Sequence, residues 1–91
     1  MITIKNENEI ELMRESCRIV KETLDFVGKN IRAGMTTKDV DELVYRYITS
    51  CDAIPSELGY EGYPASSCVS VNEVVVHGIP SDRVILDGDI V

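Results

Sequence analysis

Residues 59–80, GYEGYPASSCVSVNEVVVHGIP, decide how this chain is read, because the hydrophobic pattern changes inside them. Upstream, apolar residues recur every three or four positions. Here they alternate, with Cys68 and Ser70 pointing one way and Val69 and Val71 the other. Asn72 and Glu73 can turn the chain, and Val74–His77 reads as a second strand. The preceding residues 52–65 carry Pro55, Gly59, Gly62 and Pro64 and read as loop. Beyond the stretch, Val84–Leu86 is a short apolar run, residues 87–89 make a turn, and Ile90 and Val91 look like the start of another strand.

Working back toward the amino terminus, Asn6 can cap a helix, with Glu9 at the capping-box position. Ile10, Met13, Cys17, Val20, Leu24 and Val27 then form one apolar face, and Gly28 is a plausible stop. The spacing predicts a helix over 7–27. Thr36 can cap a second helix with Asp39 three residues on, while Met35 and Val40 stand as a hydrophobic staple. Val40, Leu43, Val44, Tyr47, Ile48 and Cys51 give its apolar face, over 37–51. Two helices followed by strands predict an α+β arrangement, with both helices packed on an antiparallel sheet.

Ninety-one residues make one domain at most. The formal charge is −7, from 9 basic and 16 acidic side chains, so no basic face invites nucleic acid or an anionic membrane. No apolar run reaches a membrane span, and the acidic start MITIKNENEIEL lacks the apolar core of a secretory signal. Cys17, Cys51 and Cys68 are odd in number and widely spaced, which fits reduced thiols in a cytoplasmic protein better than a disulfide framework or zinc ribbon.

The residues alone show little chemistry. H-E-x-x-H, P-loop, G-x-S-x-G and G-x-G-x-x-G are all missing. A single histidine cannot build a multi-histidine metal site. At a strand end, His77 is by base rate more often a surface residue than a catalyst, although neutral imidazole both donates and accepts near pH 7. Tyr60 and Tyr63 in a glycine-rich loop are more often packing residues, and Cys68 is most simply a small hydrophobe.

The combination says more. LGYEGYPASSCVSVNEVVVHGIP (58–80) and LDGDIV (86–91) closely resemble the type I methionine aminopeptidases, supported by ELMRESCRIV in the first helix and IRAGMTTKDVDEL entering the second. The order and spacing of these pieces together are specific where each alone is weak. The resemblance covers residues 4–91 and implies the amino-terminal part of a pita-bread catalytic domain, residues 1–91 forming a single incomplete domain.

It further implies that Tyr60, Tyr63 and Cys68 wall a methionine side-chain pocket. A polarizable thioether suits aromatic edges and thiols. His77 matches the histidine that hydrogen-bonds the scissile peptide and steadies the tetrahedral intermediate. Main-chain carbonyls of Asn72 and Val74 match a monovalent cation site. Glu57, just before Leu-Gly-Tyr, departs from the small or apolar residue common there, and a charge beside such a pocket must be paired or face water.

In the family, two divalent ions (cobalt, manganese, iron or zinc) are held by two aspartates, a histidine and two glutamates. The resemblance puts all five downstream of the matched segment, the first just past Val91. This chain alone is therefore expected to bind neither ion and to be inactive, while the parent removes N-terminal methionine from peptides and nascent proteins. A non-catalytic interaction module or a degenerate remnant is the alternative, and a proline-specific or creatinase-like peptidase fits less well. The unfinished strand at residues 87–91 further suggests pairing with a second copy.

Overall fold

Asn6 opens the first helix, its side-chain oxygen accepting the Glu9 N–H at 2.9 Å. In the computed structural model, which describes residues 1–91, this helix, α1, spans Glu7–Asn30. At 1.5 Å per residue its 24 residues reach about 36 Å. It passes through Gly28, the expected stop, and ends where Ile31 turns extended with its N–H on the Val27 carbonyl. The second helix, α2, spans Thr37–Ser50. Its capping box is complete: the Thr36 hydroxyl accepts the Asp39 N–H at 3.1 Å, and the Asp39 carboxylate accepts the Thr36 N–H at 2.8 Å.

The helices meet through Phe26 and Tyr47, whose ring centroids lie 5.2 Å apart, and the Tyr47 hydroxyl donates to Glu22 at 3.2 Å. On α1 the covered stripe is Ile19, Thr23, Phe26 and Val27. The stripe expected from periodicity lies about one position around the helix, and its Ile10, Met13, Cys17, Val20 and Leu24 are exposed. The small core is Val40, Val69 and Ile85, with Val27, Ile31 and Met35 packed against it. The expected staple is present there, Met35 and Val40 sharing one cluster.

The antiparallel sheet beneath the helices is overturned. The chain forms two α-helices and one 3₁₀ turn, Tyr60–Gly62, and no strand; the sole β-bridge pairs Thr36 with Val84. The reason lies in the backbone of the two expected strands. His77, in the second of them, takes φ of 57°, a left-handed value that breaks its extended run, whereas Asn72 at 52° lies in the expected turn. Two main-chain bonds join these segments, Val74 N–H to the Val71 carbonyl at 3.1 Å and Val69 N–H to the Gly78 carbonyl at 2.8 Å; the Gly78 N–H goes instead to the Ser70 hydroxyl at 3.0 Å. The third run pairs elsewhere. Gly34 donates to Ile85 and Ile85 to Met35, both at 2.8 Å, while Thr37 and Lys38 donate to the Arg83 and Ser81 carbonyls. Residues 81–85 thus serve the start of α2 and satisfy its orphan amides.

Candidate functional site

Tyr60–Gly62 forms a tight turn that closes on itself, with Tyr63 N–H on the Tyr60 carbonyl and Gly59 N–H on the Tyr63 carbonyl, both 2.9 Å. It leaves Tyr60 exposed and turns Tyr63 inward to half-burial. The Tyr63 hydroxyl donates to the Ser67 carbonyl at 3.0 Å and lies 3.4 Å from Cys68 Sγ. Burial first, and then the Cys68 contact, push the Tyr63 phenol up to about 12. It therefore remains a neutral donor across any physiological pH. Two of the expected wall residues, Tyr63 and Cys68, are in direct contact, and all three cysteines are free thiols.

Cys68 faces an apolar groove of about 460 Å³ between α1, α2 and residues 67–70, whose walls include Leu24, Val27, Val44 and Val91. His77 opens on a separate hollow of about 400 Å³ with Val71, Val74, Ile79 and Arg83. Val69 is common to both, so one extended residue divides the thiol side from the imidazole side. The imidazole is exposed, and Gly78 fixes its place: a Cβ there would lie 2.3 Å from the Val69 carbonyl oxygen. Glu57 is exposed to water rather than turned into the groove.

Asn72 and Val74 sit in the turn closed by Val74 N–H on the Val71 carbonyl at 3.1 Å. The Asn72 side chain docks the carboxyl-terminal segment. Its oxygen accepts the Ile90 N–H at 2.9 Å and its amide donates to Asp89 at 2.9 Å, while the Asn72 N–H donates to the Ile90 carbonyl at 2.9 Å. Both main-chain groups of Ile90 are thereby engaged within the chain.

Sequence reasoning missed Asp41, Ser67 and Ser70. Asp41 Oδ1 accepts the Ser66 N–H at 3.0 Å and the Ser67 hydroxyl at 2.7 Å. The available signal was an acid beside Val40 on the inward side of α2, opposite a loop containing two adjacent serines. No group of three or more His, Cys, Asp or Glu side chains is placed to hold a metal ion, so the residues present do not by themselves fit a divalent-metal centre. No helix is long and apolar enough to cross a membrane.

Residues 11–91 match the model of metallopeptidase family M24, and the chain belongs to that family. Within it, the likeness is to methionine aminopeptidases. The chain is 52% identical to the methionine aminopeptidase of Clostridium acetobutylicum, over 100% of this chain and 37% of that protein. It is 46% identical to the human mitochondrial methionine aminopeptidase 1D, over 99% of this chain and 27% of that protein. The crystal structure of the Rickettsia prowazekii methionine aminopeptidase superposes with a TM-score of 0.93 at 42% identity, covering 98% of this chain and 36% of that one. The chain thus spans about a third of the relatives it matches, in their amino-terminal part, and shares their pita-bread fold.

Proposed function

We propose that this chain supplies the methionine-recognising wall of a methionine aminopeptidase, an enzyme that removes N-terminal methionine from peptides and nascent proteins. The observation that carries this reading is the contact of Tyr63 with Cys68, which lines an apolar groove, in a chain matching methionine aminopeptidases over its whole length. Phenol edge and thiol together offer a methionine thioether a soft, polarizable surface. Tyr60, exposed on the same loop, is the third residue of that wall. Exposed Glu57 keeps its charge in water, so the wall bears no desolvation cost from it.

His77 acts from the other side of Val69. Its imidazole donates a hydrogen bond to the scissile peptide and to the negative charge that develops on it, a role one positioned donor can fill. The Asn72 and Val74 carbonyls hold a monovalent cation that stiffens the turn before His77. A divalent pair would supply Lewis-acid polarisation of the scissile carbonyl and an activated water, and no cluster among these residues is placed to hold it. The setting is the cytoplasm.

The test replaces the matched portion of the Clostridium acetobutylicum enzyme with this chain and assays methionine release from a Met-Ala-Ser peptide with added cobalt or manganese. Release by the chimera, with kcat reduced about 10²-fold or more in its His77→Ala form, is the expected result. A folded chimera that loads metal but spares N-terminal methionine would overturn the reading.

A further inference from the structure

Asp41 stands on α2, lines neither hollow, and is hydrogen-bonded to the loop that carries Tyr63 and Cys68. One carboxylate oxygen takes two hydrogen bonds from adjacent loop residues, the Ser66 N–H and the Ser67 hydroxyl. Ser66 and its neighbour Ala65 are buried, so this is a seated stretch of backbone. The Ser67 carbonyl in turn accepts the Tyr63 hydroxyl, which also contacts Cys68. A continuous chain of contacts therefore runs from Asp41 through Ser67 and Tyr63 to the Cys68 sulfur.

We infer that Asp41 is the positioning residue of the methionine pocket: by holding Ser66 and Ser67 it sets where the Tyr63 hydroxyl and Cys68 sulfur meet the substrate side chain. This rests on the function proposed above and extends it, since Asp41 touches neither substrate nor metal. Charge-assisted hydrogen bonds to a carboxylate are the strong ones, and a single oxygen clasping two consecutive residues restricts both translation and twist of the loop. A wall set this way acts on side-chain binding, which substrate and transition state share. Its loss therefore raises KM and leaves kcat in place.

The test uses Asp41→Ala and Asp41→Asn. In the Clostridium chimera, Asp41→Ala should raise KM for Met-Ala-Ser about ten-fold, with kcat within about two-fold. Asp41→Asn keeps an acceptor oxygen and should restore KM to within about three-fold of the unsubstituted chimera. In the 91-residue chain itself, iodoacetamide labelling is mapped by mass; Cys17 and Cys68 are both exposed, so with Cys17 as internal reference the ratio reads the reactivity of the Cys68 sulfur beside Tyr63 rather than its burial. Asp41→Ala should raise the Cys68-to-Cys17 labelling ratio several-fold, and Asp41→Asn should not. Should Asp41→Ala fail to fold, Ser67→Ala removes the hydroxyl arm alone and should shift both readouts in the same direction. A fall in kcat at unchanged KM, or an unchanged labelling ratio, would overturn the inference. Failure of the unsubstituted chimera to release methionine would instead remove the functional reading, and the labelling ratio would still judge Asp41.

Discussion

At Gly78 two segments cross so closely that a hydrogen is all the position can carry. The Val69 carbonyl lies 2.3 Å from where a Cβ would stand, and the Ser70 Cα 3.0 Å away. Both are backbone, so neither can swing aside. Gly78→Ala should cost about 1–3 kcal/mol in urea unfolding, by the overpacking penalty of a close-packed site. It should also move the His77 ring resonances while leaving those of Phe26 and Tyr47, at the helix contact, unchanged. In this region Tyr63 and Cys68, which the resemblance places in one wall, lie in contact. Their geometry was not legible in the sequence. Ser70 and Ser67 look like the polar half of an alternating strand, and only the folded chain shows their hydroxyls taking the partners a ladder would have supplied.

Among the elements, α2 was legible almost to the residue because its boundaries are written in side chains. Thr36 and Asp39 exchange hydrogen bonds with each other's amides, and Met35 reaches the cluster that holds Val40. Thr36→Ala should lower stability by about 1 kcal/mol, seen as an earlier urea midpoint at an unchanged slope. The expected strands failed for a reason equally local. Alternation reports which side chains point together, and it is silent about where the amides go. Left-handed φ at His77 interrupts the second run, and the third apolar segment spends its amide and carbonyl on Gly34 and Met35. The apolar face of α1 was misplaced because periodicity locates a stripe but does not say which edge a 14-residue partner helix will cover.

For the molecule as a whole, 11 of 91 residues are buried, and much of the apolar surface of α1 and of residues 75–91 is open. The chain spans about a third of the length of the relatives it matches. What holds residues 86–90 in place is polar. Asp89 accepts the Leu86 N–H at 2.8 Å and the Asn72 amide at 2.9 Å, and these two bonds, in that order, hold its carboxyl below the ordinary aspartate range. A lowered folded-state value means the clasp stabilises above the ordinary aspartate pKa and is lost as pH falls through the lower one. The Ile90 amide resonance should therefore titrate with a midpoint below about 3.9, and Asp89→Ala should abolish that transition.

We propose that Tyr63 and Cys68 form the surface against which a methionine side chain lies. The most direct test is a crystal of the Clostridium chimera soaked with selenomethionine, with the selenium located by anomalous scattering. One strong peak in van der Waals contact with Cys68 Sγ and the Tyr63 ring is expected. A peak lodged elsewhere in an otherwise intact active site, with that wall left bare, would contradict it.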